Sequence, residues 1–402
     1  MGYLFSVLIN AGILKQLIPN YFSLDLTILS LTAILVILTF EMLIKKRKFR
    51  NVSNGNLSLV IGAFTIFAVS VLFSSIYTNS PLFWKDKFFR FIILNIPSFI
   101  IPVFFFKLQD IKNFIRGSII IFIIIISYYL YFLFEYGLKV FYITSELELP
   151  SYLTWGSVLA FNTLLLIGAF FEKKTKKKKL NDIYVTILAF LCMLMIFISG
   201  ARGPFIFFVF SFIAMLFIRK KIQLLSVYFI FILLSSIIYL SLGMNFSNED
   251  KKVGRSERIL HLSINSTSVQ KRFEYFKESW DWIEQKALFG YGIGSFSYVT
   301  SSEDTRGYPH NLLIEIWFEN GLLAVSLFCM YLSLLIYIGI KNIHKPYVTT
   351  FLVINIYFIA SLMKSSSLTD ARVFFAFAGM LIATSYCTKI NFKNRIIPRL
   401  IR

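Results

Sequence analysis

Apolar residues in this chain run in long unbroken stretches, not in alternation and not in one-sided stripes. A helix needs about 20 such residues to cross the hydrocarbon core of a bilayer. Stretches at 3–18, 22–44, 57–77, 88–106, 117–136, 151–171, 183–199, 203–218, 222–243, 317–340, 347–363 and 373–388 meet or approach that measure. The pattern predicts an all-α, polytopic integral membrane protein of about twelve transmembrane helices. The middles of these stretches are nearly free of ionisable residues, and the two halves of the chain show no repeat. Between the ninth and tenth stretches the pattern changes, and Met244–Pro309 forms one long polar insertion. In its second half Phe273, Phe276, Trp280 and Ile283 fall on one face at helical spacing, which predicts an amphipathic helix with Ser268 as its N-cap.

Composition narrows the class. Hydrophobic residues make up 57% of the 402 and charged residues 15%, against about 25% charged in soluble globular domains. A water-soluble enzyme, a disordered chain and a coiled coil are excluded. The net charge of +20 would suggest a nucleic-acid partner, but its placement points elsewhere. The runs KKRKFR at 45–50, KKTKKKK at 173–179 and RKK at 219–221, and the tail from Lys389 to Arg402, all lie between or after apolar stretches. That is the positive-inside arrangement, with the anionic cytoplasmic leaflet as electrostatic partner and no nucleic acid. It predicts cytoplasmic termini and an external position for the 244–309 loop, in which acidic and basic residues balance. Cys192, Cys329 and Cys387 lie in apolar stretches, so neither a disulfide nor a metal site is expected.

Three residues stand out as candidates for chemistry. Arg202, in SGARGP between two apolar stretches, either snorkels to the surface or faces a cavity or partner. Arg272 opens the amphipathic helix, where a solvated arginine is the ordinary expectation. His310, in GYPHNLLIEIWFENG, sits where the long loop re-enters the membrane, at a helix start. His261 and His344 have no such setting. GYGIGSF at 290–296 has glycine spacing like a phosphate loop but lacks the strand and helix of a nucleotide-binding unit, so it is read as a turn.

Taken together, SGARGP, the long loop with KRFEYFKESW and LFGYGIGSF, and PHNLLIEIWFENGLL resemble the O-antigen ligase/polymerase superfamily. This group holds WaaL-type O-antigen ligases and Wzy-type O-antigen and capsule polymerases. The resemblance spans about 183–340 and divides the chain into an N-terminal transmembrane bundle (1–182), a ligase/polymerase-like core (183–346) and C-terminal helices with a basic tail (347–402). It implies a GT-C-like, inverting, metal-independent membrane glycosyltransferase of the bacterial inner membrane. The donor would be a glycan on undecaprenyl diphosphate at the outer face. The acceptor would be a carrier-linked repeat unit for a polymerase, or lipid A core for a ligase. Membrane lipids and a chain-length regulator are the further partners. Energy comes from the activated carrier, so no cofactor is implied.

By motif, the functional residues of the ligases fall on Arg202, Arg272 and His310. The two arginines would bind the diphosphate, and the histidine would act as a base or a diphosphate clamp. Asn311, Asp370 and Arg372, the last two in SLTDARVFF, are secondary candidates. Guanidinium groups bind phosphate oxygens bidentately and can neutralise a leaving diphosphate without a metal. The poorly matched N-terminal half favours a repeat-unit polymerase over a ligase. A lipid-linked oligosaccharide flippase is the distant alternative, disfavoured by the scarcity of ionisable residues in the spans and the lack of repeated halves.

Overall fold

The computed structural model describes residues 1–17, 25–44, 55–136, 150–172, 178–199, 201–221 and 267–393. The expected span at 222–243, His261, the first half of the long loop and the end of the basic tail lie outside the described residues. Among the described residues every regular element is a helix. Seven segments are long and apolar enough to cross a membrane: Leu26–Leu43, Gly55–Tyr77, Phe83–Phe105, Leu108–Tyr136, Tyr152–Glu172, Leu312–Lys341 and Val348–Ser365. Gly2–Leu17, Thr186–Ile198, Arg202–Ile218 and Arg372–Tyr386 are shorter apolar helices. The chain is a polytopic, all-helical membrane protein.

The helices group into two compact units, Met1–Lys48 with Leu108–Leu262, and Phe49–Lys107 with Ser263–Arg402. The first unit contains α1 (Gly2–Leu17), α2 (Leu26–Leu43), α6 (Leu108–Tyr136), α7 (Tyr152–Glu172), α8 (Lys178–Ile198) and α9 (Arg202–Ile218). Small residues set its close approaches. A side chain on Gly2 would strike the Asp110 carbonyl, and one on Gly156 would strike Ala201 at the start of α9. Three polar contacts cross its interior: Asn162 donates to Asn10, the Tyr129 hydroxyl donates to the Met195 carbonyl, and Arg219 pairs with Glu172.

The second unit contains α3 (Gly55–Phe73), α4 (Phe83–Arg90), α5 (Ile96–Phe105), α10 (Thr267–Gln285), α11 (Phe296–Ser301), α12 (Leu312–Lys341), α13 (Val348–Ser365) and α14 (Arg372–Lys393). A π-turn at Phe91–Asn95 joins α4 to α5. It ends two residues before Pro97, which has no amide hydrogen to continue the ordinary ladder. Phe64, Phe67, Phe91, Phe99, Phe328, Tyr331 and Phe375 form a continuous aromatic core between α3, α5, α12 and α14.

A buried group of ionisable side chains lies near the starts of α4 and α12. α4 and α12 begin about one turn before the hydropathy boundaries, and Lys87, Glu315 and Glu319 lie inside them. All three side chains are 1% exposed, and Lys87 Nζ contacts both carboxylates. Hydropathy averages miss such a group because each member looks like the polar end of a span. Lys87 gives both carboxyl groups a cationic partner, which buried ions need.

The glycine-rich segment also has a role beyond a turn. α12 is broken at Gly321, where φ is 79° and ψ −179°. Backbone groups freed by the break would be costly inside a membrane protein. The segment after α10 supplies their partners. The amides of Tyr291 and Gly292 donate to the Phe318 and Glu319 carbonyls, and the Leu322 amide donates to the Ala287 carbonyl. The segment's other edge meets the end of α3. There the Asn79 amide donates to the Tyr291 carbonyl and Thr78 Oγ1 to the Ile293 carbonyl.

Gly290, Gly292 and Gly294 all have positive φ, and a side chain on Gly292 would approach the Thr78 Cα to 2.1 Å. Gly292→Ala is therefore expected to lower stability by at least about 2 kcal/mol through strain and overlap. The thermal unfolding midpoint of the purified full-length protein measures this.

Candidate functional site

His310 is the last residue before the N-cap of α12. Its φ of 57° is left-handed, a conformation that costs a non-glycine residue free energy and persists only where neighbours enforce it. Asn311 does much of that enforcing. Its side-chain oxygen accepts from the Leu313 and Ile314 amides, and its Nδ2 donates to the Met363 carbonyl at 3.1 Å. Asn311, a secondary candidate from the sequence, thus caps α12 and ties it to α13.

The loop leading to His310 is anchored upstream. Asp304 accepts hydrogen bonds from Ser80 Oγ at 2.6 Å and from the amides of Leu82 and Phe83. Burial raises its carboxyl pKa, but those hydrogen bonds outweigh it and hold the value below the usual range. Arg306 in the same loop pairs with Asp370 in the turn between α13 and α14. Asp370 is thereby placed beside the loop, one side of an exposed ion pair. Arg372 follows as the first residue of α14 and is half-buried.

The imidazole of His310 is half-buried between two tyrosines. The Tyr308 ring centroid is 4.6 Å away and that of Tyr275, from α10, is 6.0 Å away. Its Nδ1 lies 3.4 Å from Ser365 Oγ at the end of α13. Burial lowers the histidine's pKa, and the Arg272 guanidinium lowers it further. The imidazole is therefore neutral at pH 7. Burial raises the Tyr308 phenol, with the Asp370 carboxylate adding to the effect, so it remains a hydrogen-bond donor.

Arg272 stands on α10, which begins at Thr267, one residue ahead of the expected cap. Among the described residues it forms no ion pair, and its charge acts on the imidazole. α10 is held by Ile283, which packs with Tyr291, Phe296 and Phe318, and by Trp280 against Trp317. Of the predicted apolar face, Ile283 is buried while Phe273, Phe276 and Trp280 stay largely exposed.

The structure thus brings Arg272 and His310 together. Arg202 belongs to the first unit, where it opens α9 as a half-buried residue ahead of the buried Gly203 and Pro204. Sequence reasoning missed Tyr308, Tyr275 and Ser365 around the histidine. Tyr308 lies within the GYPHN motif and could have been singled out there, whereas the others carry no local signal.

This arrangement places a neutral imidazole near a guanidinium and a helix N-terminus, a combination suited to taking a proton next to a bound anion. The α12 dipole favours that anion, although the Asn311 side chain already occupies the Leu313 and Ile314 amides. No curated protein matches the chain significantly. Residues 187–329 match the family described as O-Antigen ligase. That segment, which contains Arg202, Arg272 and His310, supports the membership of this chain in the O-antigen ligase/polymerase superfamily.

Proposed function

We propose that the protein is a metal-independent, inverting membrane glycosyltransferase of surface polysaccharide biosynthesis. It moves a glycan from undecaprenyl diphosphate to a sugar hydroxyl at the outer face of the inner membrane. The observation that carries this reading is the neutral His310 beside Arg272. The arrangement supports a base more than a clamp, because burial and a neighbouring cation both disfavour the imidazolium.

In the proposed step the acceptor hydroxyl oxygen bonds to the anomeric carbon as its proton passes to His310. The bond from that carbon to the phosphate oxygen breaks, and the diphosphate leaves with the electron pair. Arg272 neutralises the charge that develops on it. Arg202 is assigned the same diphosphate-binding role by its motif. Tyr308 and Tyr275 offer ring faces for a sugar beside the histidine. Cytoplasmic termini and an external 244–309 loop are supported by the placement of the basic runs.

The acceptor is proposed to be a second carrier-linked repeat unit, which makes the enzyme a polymerase. A deletion strain's surface polysaccharide, resolved by size beside its carrier-lipid pool, tests this. Single repeat units at the surface without a ladder are expected. Full-length chains stranded on the carrier would identify a ligase, and repeat units trapped at the cytoplasmic face would identify a flippase.

A further inference from the structure

Glu315 lies one helical turn beyond Asn311 and is 1% exposed. Besides contacting Lys87, its carboxylate accepts from Ser367 Oγ at 2.6 Å and from the Leu368 amide at 3.1 Å. Asn95, at the end of the π-turn, donates to the Leu368 carbonyl at 2.6 Å. Ser367 Oγ in turn receives the Thr369 hydroxyl at 3.0 Å. The turn between α13 and α14 is therefore fixed to α12 on one side and to the π-turn on the other. Ser365 stands two residues before Ser367, and its hydroxyl is the neighbour of His310 Nδ1.

An imidazole has two nitrogens, and the partner of one decides the protonation of the other. A base that works through Nε2 needs its proton held on Nδ1. The 3.4 Å separation to Ser365 is long for a settled hydrogen bond, as is common in unloaded active sites.

We propose that Glu315 is a positioning residue for His310. By clamping Ser367 and the Leu368 amide, it holds Ser365 where the serine oxygen accepts Nδ1–H, leaving Nε2 as the proton-accepting atom. This inference rests on the reading of His310 as a base. Lys87, itself paired with Glu319, completes the clamp by holding the Glu315 carboxylate in place. Among the described residues, the charged and titratable groups facing the imidazole are Arg272 and Tyr275 from α10 and Tyr308 from the loop.

The test uses the full-length protein reconstituted in lipid vesicles with an undecaprenyl-diphosphate-linked glycan donor. Glu315→Gln, Ser367→Ala and Ser365→Ala are compared with the unaltered protein for kcat, donor KM and the pH profile of transfer. Each variant is expected to lose about tenfold or more in kcat, the scale on which small misplacements act. Donor KM should stay within about twofold, and the acid limb of the profile should move. Ser365→Thr, which keeps the hydroxyl, should recover most of the rate.

A purely structural clamp would lower only the yield and melting temperature of Glu315→Gln and Ser367→Ala. Unchanged kcat and pH profile per folded molecule would then overturn the inference. Should Glu315→Gln fail to fold, Ser365→Ala at the half-buried end of α13 still decides it, because an unchanged rate and profile there are equally fatal. A folded but inactive unaltered protein would overturn the glycosyltransferase reading itself, a separate result from active protein with indifferent variants.

Discussion

Alanine in place of His310 is expected to remove glycan transfer while the protein still folds and inserts. The loss should be about 10²–10⁴-fold, the range that a positioned general base contributes. The imidazole is half-buried at a loop junction, so deleting it removes the base without opening a large cavity in the core. Arg272→Ala should fall comparably, since the guanidinium both lowers the histidine's pKa and faces the site where the diphosphate is proposed to bind. Arg202→Lys should fail as well if planar bidentate binding is required, because an ammonium offers only a point charge. His344→Ala is the matched control, and surface polysaccharide from a complemented deletion strain reads out all four.

The same residue fixes a pH dependence. The histidine's folded value lies below the ordinary 6.5, first through burial and then through Arg272. As a base it works in the neutral form, so kcat/KM should rise with pH through that lowered value and level off above it. For the fold, a depressed value means full stability above about 6.5. That stability is lost as pH falls through the folded value, where the unfolded chain binds the proton more readily. Activity that instead declined as pH rose through this window would identify a cationic clamp.

Removing the lysine from the buried triad should produce the largest loss of stability. Lys87→Ala would leave two carboxylates facing one another at 1% exposure, and breaking a buried ion pair in this way costs about 3–5 kcal/mol. Purified Lys87→Ala should show a strongly lowered unfolding midpoint or fail to accumulate. The triple variant Lys87→Met, Glu315→Gln, Glu319→Gln removes every charge and should regain much of that stability. Its transfer rate should remain low, because a single amide oxygen cannot replace the carboxylate's two-oxygen grip on Ser367 and the Leu368 amide. Stability and positioning are thus separable in one pair of measurements.

Much of this was legible in the chain itself. Long apolar stretches predict the helices because a bilayer demands continuous apolarity, and the described spans fall close to where hydropathy places them. The neighbourhood of Arg272 and His310 could be read through motif resemblance. The buried triad could not, since Lys87 is 228 residues from Glu315 and 232 from Glu319, and charge pairing at that separation leaves no periodic trace. Gly290, Gly292 and Gly294 announced a turn. Their service to the broken helix at Gly321 was hidden, because the break is a tertiary event between two distant segments. His310 looked like a helix start, but its left-handed backbone and its Ser365 neighbour depend on how α13 packs.

Transfer from a carrier diphosphate by protein groups alone can be measured with the purified full-length protein in vesicles, supplied with an undecaprenyl-diphosphate-linked glycan and an acceptor glycan in excess chelator. The prediction is one free undecaprenyl diphosphate released for each glycosidic bond formed, at a rate indifferent to the chelator. No release from folded protein, or release only after a divalent cation is restored, would contradict it.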